Sequence, residues 1–243
     1  MTDAFSAGTL LAGRTAIVTG TSRGIGRAVA SGIAAAGANV LAVSRGEAAH
    51  DPRDAIRPFR CDVRVPEAPE MILDAALSAF GRVDALVNNA GIIRFATPME
   101  QTDEEWDEIM ATNLTAPFRL SQRLANHWAS HEQPGVIVNL CSVESEVAFH
   151  DQPAYAASKG GLLGLTRAMA RELAPLRIRV LAIGPGVIDT GMTPARPEDT
   201  ERIPMHRLGT PEEVADGVVL LLSDLARYAT GSIFYVDGGY LTQ

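Results

Sequence analysis

Read as a pattern of apolar and polar positions, the chain alternates short β-branched runs with longer stretches of helical periodicity. The apolar runs are "TAIVTG" (15–20), "NVLAVS" (39–44), "DALVNNA" (84–90), "GVIVNL" (135–140), "RIRVLAI" (177–183) and "SIFYV" (232–236). Gly, Pro, Asn and Asp punctuate them, as they do strands buried on both faces of a parallel sheet. "RPFRC" (57–61) predicts a further short strand. Helices are predicted over 24–36, 66–80 and 155–174, and from a capping box at Thr102-Asp-Glu-Glu105 to about His131. Another begins at Thr210, with Pro211 at the first helical position, where its missing N–H costs nothing. Repeated βα units imply a doubly wound α/β fold, with helices on both faces of a parallel sheet. No repeat or linker interrupts it, so residues 1–243 read as one domain, with 1–13 as an N-terminal extension. The stretch from Arg45 to Arg57 is broken by Pro52 and predicts an irregular crossover in place of a full helix.

Composition narrows the class. Of 243 residues, 47% are apolar and 21% charged, enough for one large core. The net charge of −8 argues against nucleic acid or an anionic membrane as partner. The two cysteines, Cys61 and Cys141, lie in or beside apolar runs and read as core thiols of a reducing compartment. The N-terminus lacks a basic start and a long apolar block, and no run approaches the ~20 residues of a membrane span. The expectation is a cytoplasmic protein.

The glycines after the first strand carry the first chemistry. In "TGTSRGIG" (19–26), Gly20, Gly24 and Gly26 are spaced G-x-x-x-G-x-G and open a helix. Glycine there permits a tight turn and the close approach of a pyrophosphate, which the helix N-terminus then attracts. Ser22, Arg23 and Ile25 fill the turn. NAD-binding chains place Asp or Glu at the end of the second strand to accept from the ribose 2′-OH. Here that strand ends Val43-Ser44-Arg45. Arg45, with Arg23, suits a 2′-phosphate instead, so NADP(H) is expected over NAD(H).

"YAASK" (155–159) sets Tyr155 and Lys159 one helical turn apart on one face. With "TGTSRGIG", "CDV" (61–63), "NNAG" (88–91), "TNL" (112–114), "NLCSVES" (139–145), "PGVIDTGM" (185–192) and "YVDGGY" (235–240), the chain resembles the short-chain dehydrogenases/reductases over nearly its whole length. The resemblance implies a Rossmann-type seven-stranded sheet in the order 3-2-1-4-5-6-7. It also implies a catalytic tetrad of Asn113, Ser142, Tyr155 and Lys159. In that scheme Tyr155 is the general acid in carbonyl reduction and the base in alcohol oxidation. Lys159 and the oxidised nicotinamide lower the pKa of Tyr155, and Lys159 also holds the ribose hydroxyls. Ser142 donates to the substrate oxygen, and Asn113 interrupts its helix to hold a water of a proton relay. Further cofactor contacts implied are Asp62 and Val63 at the adenine, and Asn89, Ala90 and Gly91 along the nicotinamide ribose. Pro185, Gly186 and Ile188 would flank the carboxamide, with Thr190 beside them.

Substrate candidates are Arg94, Ser142, Glu144, His150 and Met192, the last in a lid at about 189–204. Arg94, Glu144 and His150 together would suit a small hydroxylated or carboxylated carbonyl compound. An NAD-dependent sugar-acid or polyol dehydrogenase, a 3-oxoacyl-carrier-protein reductase and a non-catalytic NADP(H) sensor remain as alternatives. The carrier-protein reading is weakened because only Arg177 is left beside the entrance to dock an acidic carrier, and the net charge of −8 adds long-range repulsion. His127 and His131 have zinc-compatible spacing without a third ligand, so no metal is expected. Trp106 and Trp128 are expected in packing or subunit contacts. The resemblance also implies a homotetramer or dimer through helices 103–131 and 155–174.

Overall fold

The computed structural model describes residues 9–46, 55–190 and 200–242. Seven strands form its sheet: β1 Thr15–Thr19, β2 Asn39–Ser44, β3 Ile56–Arg60, β4 Ala85–Asn88, β5 Gly135–Leu140, β6 Ile178–Pro185 and β7 Ile233–Val236. All pair parallel, in the order β3-β2-β1-β4-β5-β6-β7. The helices are α1 Gly24–Ala35, α2 Ala68–Phe80, α3 Asp103–Met110, α4 Ala116–Ser130, α5 Pro153–Leu173 and α6 Pro211–Leu222. The crossover expected over Arg45–Arg57 and the lid expected at 189–204 fall largely outside the described residues.

Strand alternation divides the core into two layers. Ala16, Val18, Val87 and Val138 face α1 and α6, while Ile17, Leu86 and Ile137 face α2 and α4. This period of two along each strand is what covers both faces of a parallel sheet. Trp128 fills the second layer. It is fully buried and donates its indole N–H to the Val83 carbonyl at 2.8 Å. Gly135 is required beneath it, since a Cβ there would lie 2.3 Å from the ring. Trp128 is therefore a packing residue, whereas Trp106 stays exposed.

The helix expected over 103–131 is not regular throughout. Between α3 and α4, residues Ala111–Thr115 form a π turn, closed by the Ala116 N–H on the Ala111 carbonyl. Pro117 is one physical reason. It has no N–H, so the Asn113 carbonyl loses the donor that an α-helix would supply four residues on. The turn brings Asn113 inward, fully buried, under the C-terminal edge of the sheet.

Candidate active site

The C-terminal ends of β1, β4, β5 and β6 open on a groove of about 670 Å³. Its floor begins at the glycine turn. Gly20 and Gly24 have φ of +75° and +53°, the left-handed region that glycine occupies without strain. A Cβ on Gly26 would stand 2.2 Å from the Gly20 carbonyl oxygen, so the turn and α1 touch backbone to backbone. Asn89 locks the turn to β4 by donating to the carbonyls of Thr19 and Gly20 at 2.8 and 3.1 Å. The Thr19 hydroxyl in turn accepts from the Asn89 and Ala90 N–H groups at 3.1 and 3.0 Å. The α1 N-terminus has no side-chain cap and no acidic residue in its first turn. Its N–H groups and positive dipole end are thus left for an anion, which is the fit a pyrophosphate needs.

At one end of the groove lie Arg23, Arg45, Asp62, Val63 and Arg64. Arg64 was not foreseen. Its guanidinium grips the Asp62 carboxylate, with Nη2 to Oδ2 at 2.7 Å, and reaches Glu108 on α3 at 2.9 Å. The hydrogen bonds from Arg64, with the charge of Arg45 in a smaller part, hold the Asp62 carboxyl below its ordinary range. Asp62 is therefore an ionised acceptor already shared with a protein cation. Only the "CDVR" tetrapeptide hinted at this, by placing a base two residues after an acid.

Ser142, Tyr155 and Lys159 line the other end, and Asn113, the fourth residue of the expected tetrad, is buried beside Gly91. Lys159 Nζ lies 5.5 Å from the centre of the Tyr155 ring and donates to the Leu140 carbonyl at 2.6 Å. Asn113 exchanges hydrogen bonds with the Ile92 backbone and donates to Ser158 Oγ at 3.1 Å. Ser142 Oγ accepts the Glu144 N–H at 3.1 Å. Tyr155 keeps part of its surface open to the groove, yet the protein crowded around its hydroxyl pushes the phenol above its ordinary range. Glu144 adds to that rise and a hydrogen bond with Ser142 opposes it. Burial pushes Lys159 down. The expected lowering of Tyr155 by Lys159 is thus not produced by these side chains themselves, because loss of solvation outweighs it. The positive charge of an oxidised nicotinamide is the other contribution to that expectation.

Pro185, Gly186, Ile188 and Thr190 line the same groove, as do Ala90 and Gly91. The substrate candidates divide. Arg94 and Ser142 line it, but Arg94 is paired with Glu108 at 3.1 Å. His150 is exposed, and Glu144 is buried at 6% exposure behind the serine. The polar pocket expected from Arg94, Glu144 and His150 is therefore not assembled. The single 3-10 turn Val143–Ser145 rotates Glu144 inward, while Glu108 draws Arg94 toward α3. Met192 lies outside the described residues. The His127 and His131 rings pack 4.4 Å apart, with His131 Nδ1 at 2.8 Å from the His127 carbonyl.

A family model described as enoyl-(acyl carrier protein) reductase matches residues 20–241. The 3-oxoacyl-(acyl-carrier-protein) reductase of Vibrio cholerae is 41% identical, over 94% of this chain and 98% of its own length. The chain belongs to the short-chain dehydrogenase/reductase family. Another relative is 3beta-hydroxysteroid dehydrogenase 1 of Eggerthella lenta, 39% identical over 94% of each chain. Among solved structures, one from Beutenbergia cavernae, described as an NAD(P)-dependent gluconate 5-dehydrogenase with bound NADP, superposes with a TM-score of 0.88 at 38% identity. It covers 97% of this chain and 100% of its own. The chain is an oxidoreductase of this family, acting on the CH–OH/C=O pair, and its seven-stranded order is the family's.

Proposed function

We propose that this short-chain dehydrogenase/reductase interconverts a ketone and a secondary alcohol on a small polar substrate, with NADP(H) as its hydride carrier. The observation that carries the cofactor reading is the pair Arg23 and Arg45 at the Asp62 end of the groove, where no carboxylate ends β2. Two guanidinium groups suit a 2′-phosphate better than a ribose diol. When bound, NADPH supplies the hydride; the chain supplies the proton and the orientation. Tyr155 delivers its phenolic proton to the carbonyl oxygen in reduction and removes the alcohol proton in oxidation. Ser142 hydrogen-bonds that oxygen as negative charge develops on it. Lys159 is fixed by the Leu140 carbonyl beside the Tyr155 ring and would hold the ribose hydroxyls of a bound cofactor. Asn113 braces the Ile92 backbone, and its main-chain carbonyl, deprived of a helical donor by Pro117, is the acceptor for a relay water.

The test is to titrate NADPH and NADH separately at fixed ionic strength, then assay gluconate, 2-deoxygluconate, xylulose and a 3-oxoacyl thioester. NADPH bound at least tenfold more tightly, about 1.4 kcal/mol, supports the arginine reading. Equal or tighter NADH moves an NAD-dependent sugar-acid or polyol dehydrogenase to first place. A 3-oxoacyl-carrier-protein reductase is the second reading, favoured by the Vibrio cholerae relative. Against it stands the net charge of −8, which repels an acidic carrier at long range. We place self-association on α4 and α5. Phe118 is exposed on α4, and Cβ atoms added at Gly160 and Gly164 of α5 would meet open space.

A further inference from the structure

Among the described residues, Glu144 is the only buried acid, as Lys159 is the only buried base. The two are placed on either side of the proton-transfer chemistry. Glu144 sits in the 3-10 turn that Ser142 caps, and its N–H fixes Ser142 Oγ. Its carboxyl is buried at 6% exposure, and Oε2 has no hydrogen-bond partner. Tyr155 and Lys159 face it from α5, and Cys141, at the end of β5, faces the same two side chains. The Lys159 ammonium is committed to the Leu140 carbonyl and makes no ion pair with Glu144 at hydrogen-bond range. A charge on Glu144 would therefore be felt at Tyr155 through protein, where Coulomb interactions are several times stronger than in water.

We propose that Glu144 is a positioning residue whose charge sets the proton affinity of the Tyr155 phenol, and with it the pH range over which Tyr155 serves as the acid of carbonyl reduction and the base of alcohol oxidation. The inference rests on Tyr155 being the acid-base group of the proposed function. A neutral Glu144 lets the phenolate form more readily, so Tyr155 serves as a base from a lower pH. An ionised Glu144 opposes a second negative charge nearby, so Tyr155 keeps its proton and stays an acid to higher pH. Burial raises the Glu144 carboxyl to about 7, which puts the change between these two states in the neutral range. The device thus keeps Tyr155 protonated as pH rises, the direction in which an ordinary phenol would begin to lose its proton.

The role of Glu144 is tested without a substrate, and turnover is assayed only to test the parent reading. Tyrosinate formation is followed by ultraviolet difference absorbance against pH in the complex with NADP+, and the Tyr155→Phe protein isolates the contribution of Tyr155. Removing the charge, in Glu144→Gln and in Glu144→Leu, is expected to weaken the proton affinity of Tyr155 by about threefold to tenfold. Glu144→Asp, which keeps the carboxylate, should stay close to the parent. NADPH affinity should be unchanged in all three. An unmoved Tyr155 midpoint in folded charge-free variants overturns the proposal, and so does failure of both to fold, since Glu144 would then be structural. If Tyr155→Phe retains turnover, the parent reading fails. If that variant is inactive but the midpoint does not move, only the role of Glu144 fails.

Discussion

Asn113 and Ile92 hold each other by two hydrogen bonds, the Ile92 N–H to Oδ1 and Nδ2 to the Ile92 carbonyl, each 2.9 Å long. A side-chain amide here stands in for a strand partner, tying the loop after β4 to the π turn. Asn113→Ala removes it and leaves buried backbone groups unpaired. A stability loss of about 1–3 kcal/mol is expected in urea unfolding, with lost turnover. Asn113→Asp, which keeps the acceptor and loses the donor, should recover little.

Tyr155→Phe removes only the proton carrier. Turnover with whichever test compound the parent reduces should fall by about 10²–10⁴-fold. NADPH titration should give a dissociation constant close to the parent's. Near-normal kcat would show that another group moves the proton.

Arg23→Ala and Arg45→Ala should each weaken NADPH while leaving NADH nearly untouched. The expected cost is about 1.5–3 kcal/mol per arginine, the range of charge-assisted hydrogen bonds, and it should shrink at high salt. A parallel loss for both cofactors would place these arginines elsewhere than on the 2′-phosphate.

Gly26→Ala puts a methyl group 2.2 Å from the Gly20 oxygen and 2.3 Å from Asn89 Nδ2. Neither neighbour can yield without breaking the lock between the turn and β4. Overpacking of about 1–3 kcal/mol is expected, visible as a lowered Tm, with cofactor binding lost. Gly46→Ala, which meets nothing within 4 Å, is the control.

Glu144 should also shape stability against pH. Its folded value of about 7 lies above the ordinary 4.5, so the folded state holds a proton that the unfolded chain releases. Stability attributable to this carboxyl is therefore present below pH 4.5 and is lost as pH rises toward 7. The Glu144→Gln protein lacks this loss. The stability difference between the two proteins should shift in favour of Gln by up to roughly 3 kcal/mol between pH 4 and 7.5, read by denaturant unfolding. A difference flat across that range would mean the carboxyl is solvated.

Much of this architecture was legible because strand and helix periods differ. Val and Ile runs such as 135–140 matched β5 residue for residue, and the two capping boxes marked the starts of α3 and α6. Pro58 did not prevent β3, because β3 is an edge strand and one missing donor there can face away from the ladder. The meeting of Ser142, Tyr155 and Lys159 in one groove was legible because motif order is written along the chain. Side-chain direction in short turns was not. Nothing in "SVES" says that Glu144 points inward while Glu146 points out to Tyr235, at 3.0 Å. Nor does "CDVR" reveal that Arg64 will bridge Asp62 to a helix 44 residues away. Such pairings depend on how elements distant in sequence pack, which local pattern does not encode.

The lock formed by Thr19, Gly20 and Asn89 has a consequence for how this chain can change. The turn that shapes the groove is tied across β1 and β4 by the Asn89 amide and the Thr19 hydroxyl, whereas Arg23 and Arg45 are exposed on turns beyond the strand ends. Scaffold and discriminator are thus separable. Under the proposed cofactor reading, an Arg45→Asp exchange would change the choice between the phosphorylated and unphosphorylated dinucleotide at the margin of the groove and leave its frame intact.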